Sequence, residues 1–271
     1  MYDAVDNVRM PELPEVEMAR RFVQDRLKGR LVKSLDIKDP KMLTVGSEHA
    51  MREAFIGQRV GDAHRHGKNL LIRIGEDHLY IHLGMSGSLH LVDDREVTPH
   101  ERLRLGLGDR ALVLDDPRRF GRFGLYHRLE DLLIEKDLGP DALTISDKVF
   151  VSRMAGRRGS IKPLLLDQSL IAGVGNLYAD ETLFQEGLHP ATKADALSGT
   201  DMARLGKRVR KVLESSISAR TEFSRLPEGF LLRDRREGAP CPRCSTALEA
   251  IRIGGRTTIL CPECQSLRTN P

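Results

Sequence analysis

The chain has no apolar run approaching the roughly 18 to 20 residues that cross a bilayer as a helix. Its first thirty residues also lack the apolar stretch of a secretory signal. These absences exclude a helical membrane protein and lead us to expect a cytosolic one. No Gly-rich strand-to-helix crossover followed by an acidic residue is found, which argues against a dinucleotide-binding fold. The nine histidines, including the neighbours His64 and His66, have no metal-ligand spacing and read as surface or phosphate contacts. Cysteine is absent outside two short pairs near the C-terminus. What is present is a chain of 271 residues, 40% hydrophobic and 30% charged, with the balance of a soluble globular protein of more than one domain.

The net charge of +4 is unevenly spread. Residues 201–271 hold 14 Lys and Arg against 8 Asp and Glu, so the remainder of the chain is slightly acidic. A basic C-terminal third fits a surface that follows phosphates, and equally fits an ordinary solvated face. Charge does not choose between them.

The stretch Met10-Pro11-Glu12-Leu13-Pro14-Glu15-Val16-Glu17 precedes an apolar stripe at Val16, Ala19, Phe22, Val23 and Leu27, which predicts a helix stopping near Gly29. One reading makes the stretch the proline-started, acidic first turn of that helix. A second notes that Met-Pro is a pair from which an initiator methionine is removed. Translation from Met10 would then leave Pro11 with a free secondary amine. Such an amine titrates near pH ~8, well below the ~10.4 of lysine, and can attack an aldehyde-like carbon to form an iminium ion. Glu12 and Glu15 would be placed to move protons. In the full chain, Met1 to Arg9 precede Met10 and the Pro11 nitrogen is an amide.

From Arg30 to about Tyr126 the pattern is of short strands, at Leu31–Ile37, Arg59–Ala63, Asn69–Ile74, His78–Leu83, Ser88–Val92, Arg102–Leu107 and Ala111–Leu114. Their spacing predicts an antiparallel sandwich or barrel. Two segments interrupt it, His82-Leu83-Gly84-Met85-Ser86-Gly87 and Asp116-Pro117-Arg118-Arg119-Phe120-Gly121-Arg122. They read as tight turns, or as loops that push an apolar or guanidinium side chain between stacked bases. Lys68 stands alone at a strand entrance. Beyond Leu138-Gly139-Pro140 the texture is helical, with helices expected at 148–156, 161–167, 178–187 and 202–219. The turn Gly173-Val174-Gly175-Asn176 at a helix start would expose backbone N–H groups to an anion such as a DNA phosphate.

The four cysteines form Cys241-Pro242-Arg243-Cys244 and Cys261-Pro262-Glu263-Cys264, with 16 residues between the pairs. Without a secretory signal, two such knuckles joined by a hairpin point to one tetrahedral zinc rather than to disulfides. Four protein ligands leave no open coordination position, so the zinc is structural.

Taken together, Met10 to Glu17, Lys68, Gly84 to Gly87, Asp116 to Gly121, Leu166 to Glu181 and the zinc hairpin with Gly255-Arg256-Thr257 closely resemble the formamidopyrimidine-DNA glycosylase and endonuclease VIII family. The resemblance runs in the family's order from Met10 to Gln265. It implies a multidomain α+β protein. A short extension at 1–9 precedes an N-terminal antiparallel β-sandwich with a leading helix at 10–135. A helix-two-turn-helix domain at 140–230 and a zinc-finger β-hairpin at 236–268 follow. It further implies a monomer of the cytoplasm and nucleoid that binds damaged or abasic duplex DNA between the first domain and the other two. A flipped base would be excised, and the abasic site cut by β- and δ-elimination.

By the same resemblance Pro11 is the nucleophile, Glu12 the acid–base residue and Glu15 a further active-site carboxylate. Lys68, Asn176 and Arg256 hold phosphates, and Met85, Arg118 and Phe120 fill the space left by the flipped base. The segment from Thr221 to Phe230 differs from the longer Gly- and Tyr-containing loop of the oxidised-purine branch, leaving oxidised purines and oxidised pyrimidines both open. A competing expectation is a binder of damaged DNA without catalysis, should the extension stay in place.

Overall fold

The computed structural model describes residues 3, 4 and 10 to 269, so most of the expected extension at 1–9 lies outside the described residues. The chain divides into two compact units. One holds residues 1–11 and 15–136, the other 12–14 and 137–271.

Among the described residues of the first unit, one short strand precedes α1 (Leu13–Leu27), and nine strands and two short helices follow it. The elements are β1 (Asp3–Ala4), β2 (Ser34–Ile37), β3 (Leu43–Val45), α2 (Glu48–Phe55), β4 (Val60–His66), β5 (Asn69–Ile74), β6 (Asp77–His82), β7 (Ser88–Asp93), β8 (Glu101–Gly106), β9 (Arg110–Asp115), β10 (Arg122–Tyr126) and α3 (Leu129–Glu135). Two five-stranded sheets result, in the orders β1-β7-β9-β8-β2 and β3-β10-β6-β5-β4. One core is shared by inward residues of both sheets, among them Leu35, Ile72, Leu79, Leu103, Leu112 and Phe123. Val16, Ala19, Val23 and Leu27 of α1 join it, so the stripe legible in the sequence is the buried face of that helix.

The differences from the expected elements have local causes. Leu31 makes only an isolated bridge to Arg59, and the strand expected from residue 31 begins at Ser34. α2 falls where only strands were expected; Ser47 caps it by accepting from the Ala50 N–H at 3.1 Å, but just Met51 and Phe55 are buried, too few to display a helical period. β3 and β10 also escaped the pattern, and they pair parallel in an otherwise antiparallel arrangement. That pairing needs Gly124, because a Cβ there would lie 2.7 Å from the Val45 carbonyl oxygen.

The second unit contains α4 (Asp147–Met154), α5 (Ile161–Leu166), α6 (Asn176–Glu186) and α7 (Gly199–Ser218), followed by the hairpin β11 (Glu249–Ile253) and β12 (Arg256–Leu260). α6 is buried on every side from Tyr178 to Phe184, which explains its lack of amphipathic pattern. It ends at Gly187 in the left-handed conformation, φ +69°. α7 is held at its start by a reciprocal Ser198–Asp201 capping box and buries Met202, Leu205, Val209, Leu213 and Ile217. Its Gly206 permits close packing, since a Cβ would meet the Phe150 ring at 2.9 Å.

Glu17 on α1 gathers Arg20, Arg21 and Arg65 around one nearly buried carboxylate. Burial opposes its ionised form, but hydrogen bonds from Arg20 and Arg21 with the charges of Arg20 and Arg65 outweigh it, lowering its pKa from 4.5 to about 2. A folded pKa below the unfolded one stabilises above about pH 4.5, and the contribution is lost as pH falls toward 2. Glu17→Gln is therefore expected to reduce stability at pH 7 by on the order of 3 kcal/mol and to flatten its loss between these pH values. Urea unfolding measured across that range checks this.

Candidate active site

Three loops of the first unit lie at one end of the sheet formed by β4, β5, β6 and β10. Register pairs His82, the last residue of β6, with both Asn69 at the start of β5 and Arg122 at the start of β10. The β4–β5 turn with Lys68, the loop carrying Met85 and the loop carrying Arg118 and Phe120 are thereby brought to the same edge. The last two interlock. Gly84, at φ +65°, sits so close to the second loop that a Cβ would fall 2.4 Å from the Phe120 carbonyl carbon.

Asp116, wholly buried, binds the pair together. Its carboxylate accepts from Ser86 Oγ at 2.5 Å, the Arg118 N–H at 3.2 Å and the Gly121 N–H at 2.7 Å. Arg118 lies over the Phe120 ring with its guanidinium carbon 5.0 Å from the centroid. Phe120 is 47% exposed, an apolar ring held toward solvent by this frame. Met85 is half-buried and Arg118 exposed.

His82, counted with the surface histidines in the sequence, has a different part. Its Nδ1 accepts from the Gly84 N–H at 3.0 Å and so fixes the first loop. Desolvation of the ring, with nearby Lys68 adding to it, lowers its pKa to about 4, so it is neutral at pH 7. Pro11 and Glu15 are both buried, Glu15 in the first turn of α1.

In the second unit, Glu12 lies at the start of α6. Its Oε2 accepts from the Gly175 N–H at 2.7 Å and its Oε1 from the Leu177 N–H at 2.8 Å, with the Tyr178 N–H at 3.5 Å. Gly175 makes room for it, since a Cβ there would be 2.3 Å from the Glu12 carboxyl carbon, and Gly173 makes room for the next residue, with a Cβ there 2.4 Å from Leu13 Cδ1. The Gly-x-Gly turn was expected to offer backbone N–H groups to a DNA phosphate. The anion on those groups is instead the Glu12 carboxylate, supplied by the chain itself. Hydrogen bonds to a charged group contribute about 1.5–3 kcal/mol each, enough to fix its orientation. Asn176, the first residue of α6, donates from Nδ2 to the Thr257 carbonyl at 3.0 Å. Arg256 is exposed beside it, after the two-residue turn Gly254-Gly255 whose φ values are +56° and +74°.

The four cysteines are unpaired as disulfides, and their sulfurs lie within 4.8 Å of one another. Cys241 and Cys264 are 3.8 Å apart and Cys244 and Cys261 3.5 Å, matching the ~3.8 Å edge of a tetrahedron with Zn–S bonds near 2.3 Å. Backbone N–H groups of Arg243 and Cys264 point at the sulfurs of Cys241 and Cys261, each at 3.4 Å, as a thiolate site requires. The donor set fits one structural zinc.

The match to known proteins covers almost the whole chain. Residues 10–123 fit the formamidopyrimidine-DNA glycosylase N-terminal domain, 138–226 the H2TH domain of the same enzymes, and 238–267 the zinc finger found in FPG and IleRS. The chain is 35% identical over 275 residues to a formamidopyrimidine-DNA glycosylase of Herpetosiphon aurantiacus, covering 95% of this chain and all of that one. It also superposes with a TM-score of 0.85 on the Lactococcus lactis enzyme bound non-covalently to DNA with an AP site, at 29% identity over 94% of this chain and 99% of that one. MutM in complex with DNA containing carbocyclic 8-oxo-G gives the same score at 30% identity, over 94% and 99% of the two chains. The chain belongs to the formamidopyrimidine-DNA glycosylase family.

Because the apolar residues of the segment from residue 238 to 267, such as Ala239, Leu248 and Ile259, form only a small cluster shared with Phe184 and Leu231, Cys261→Ser is expected to abolish zinc binding and DNA binding together. Metal analysis should fall from one zinc per chain, while circular dichroism of the β-rich unit stays near wild type. Full DNA affinity in a metal-free preparation would overturn the structural role of the zinc.

Proposed function

We propose that the chain excises oxidised bases from duplex DNA and cleaves the resulting abasic site, with Pro11 as nucleophile and Glu12 as the acid–base residue. As a member of its family it is a base-excision repair glycosylase with lyase activity; the assignment of roles to residues is our own. The observation that carries it is the Glu12 carboxylate anchored on the first N–H groups of α6, directly after Pro11 in the chain. A fixed proton carrier next to a secondary amine is what Schiff-base chemistry at a sugar carbon needs.

The steps follow from that pair. The Pro11 nitrogen attacks C1′ of the flipped nucleotide, the glycosidic electrons leave with the base, and opening of the sugar gives an iminium ion. Glu12 exchanges the protons these steps require, with Glu15 as a further carboxylate. The positive nitrogen acidifies C2′–H, so β-elimination breaks the bond to the 3′ phosphate and δ-elimination can follow at the 5′ side. Lys68, Asn176 and Arg256 hold phosphates around the lesion. Met85, Arg118 and Phe120 occupy the gap left in the stack, which costs a few kcal/mol to open. The frame around Asp116 supports that role, since a wedge must keep its shape under load.

Oxidised purines are the substrate class we assign, because solved relatives hold 8-oxo-G and Fapy-dG in DNA. We assign residues 10–135 to the catalytic domain, 140–230 to the helix-two-turn-helix domain and 236–268 to the zinc finger, in a monomer associated with the nucleoid. No described helix is long and apolar enough to cross a membrane. The alternative of a non-catalytic binder is not favoured by relatives that are glycosylases along their full length.

The chemistry demands a free Pro11 nitrogen, and the family match begins at residue 10. A chain translated from Met10, with that methionine removed, should cut abasic DNA and be trapped on it by borohydride. The chain retaining residues 1–9 should bind the same DNA yet neither cut nor trap. Trapping of the longer chain at the rate of the shorter would transfer the role to another amine, with Lys68 first to be tested. In the active chain, Phe120→Ala is expected to slow base release from duplex at least tenfold while barely changing cleavage of an abasic site in single-stranded DNA. Equal losses on both substrates would remove Phe120 from the wedge.

A further inference from the structure

Among the described residues β12 pairs with β11 alone, and alternate backbone groups on its other edge have no strand there to bond. Side chains serve instead. The Thr257 carbonyl accepts from Asn176 Nδ2 at 3.0 Å, Arg235 Nη2 at 3.3 Å and Lys162 Nζ at 3.5 Å. Two residues on, the Ile259 N–H donates to Asp180 Oδ2 at 3.0 Å. Asp180 is completely buried and organises these donors: Oδ1 pairs with Lys162 at 2.6 Å and Oδ2 accepts from Arg235 Nε at 3.0 Å. Lys162, equally buried, also donates to Thr258 Oγ1 at 2.7 Å.

This cluster holds the end of the hairpin that the zinc does not. The metal closes the knuckles at Cys241, Cys244, Cys261 and Cys264, whereas Arg256 follows a turn of two glycines with no side chains to pack. An isolated two-stranded hairpin is only marginally stable. The clamp grips at Thr257, the residue next to Arg256, and one of its three donors is Asn176.

We propose that Asp180 and Arg235 are positioning residues for DNA binding, replacing a missing strand along β12 so that Arg256 and Asn176 meet backbone phosphates at a fixed separation. The proposal rests on the reading of Asn176 and Arg256 as phosphate holders.

The test uses the full chain and a duplex with a stable abasic analogue, titrated over a range of salt concentrations. Each phosphate contact contributes about 0.9 to the slope of log affinity against log salt. Arg235→Met keeps the aliphatic stem but loses the donors to Thr257 and Asp180. It is expected to weaken binding about tenfold, to make the salt slope shallower by about 0.9, and to retain one zinc per chain. With Arg256→Ala already in place, Arg235→Met should add little, because both changes remove the same contact.

Wild-type affinity and slope in Arg235→Met, or losses that add in full to those of Arg256→Ala, would overturn the proposal. If Arg256→Ala alone flattens the slope but Arg235→Met does not, the phosphate reading stands and only the positioning role fails. If Arg256→Ala binds as wild type does, the phosphate reading fails and takes the proposal with it. Should Arg235→Met lose zinc, the combined Lys162→Met, Asp180→Leu and Arg235→Met variant replaces the buried charges by apolar groups of similar size, a change that is often neutral or stabilising in buried ion clusters. That variant should hold zinc and still give the shallow slope, and a wild-type slope there would equally overturn the proposal.

Discussion

The carboxylate of Glu12 on the first N–H groups of α6 is the constraint from which the second unit's arrangement follows. A helix that starts inside a protein must satisfy donors that have no intrahelical partner. Here a residue more than 160 positions earlier in the chain does so. The need to admit that side chain explains Gly175, as the neighbouring Leu13 explains Gly173, and it places Asn176 as the first helical residue, turned toward Thr257. One electrostatic match between a helix end and an acid thereby settles the position of the acid, of the neighbouring amide and of the hairpin that the amide grips.

Much of this was legible in the sequence, for reasons that differ by element. The α1 stripe was readable because Val16, Ala19, Val23 and Leu27 all face one core. The cysteine pairs were readable because a metal fixes ligand spacing within a few residues. α2, with two buried residues, and the parallel pairing of β3 with β10 were not, since neither leaves a period long enough to recognise. α6 gave a weak signal for the opposite reason, being apolar and polar by turns yet buried on every side from Tyr178 to Phe184.

The site divides in the same way. Pro11, Glu12 and Phe120 could be singled out because each stands in a short stretch with its own chemical sense, whereas Lys68 stood out only through the family resemblance. The residues that hold them could not. His82 looks like any other histidine until its ring nitrogen is found against Gly84, and Asp116 becomes a clasp only when two loops 30 residues apart are folded together. The Gly173-Val174-Gly175 turn was assigned the right property, affinity for an anion, and the wrong anion. Sequence spacing identifies what a helix start can bind, and only the fold says which group arrives first.

The interlocking of the loops around Gly84 and Phe120 has a consequence for how such a protein can change. With the Gly84 backbone against the Phe120 carbonyl and Asp116 bonded to both loops, the two tips form a single rigid body. An insertion of even one residue in either loop would move the shared clasp and displace the other tip. The loops are therefore expected to vary in length only as a pair during descent, and a chimera that takes one of them from a distant relative would need its companion as well.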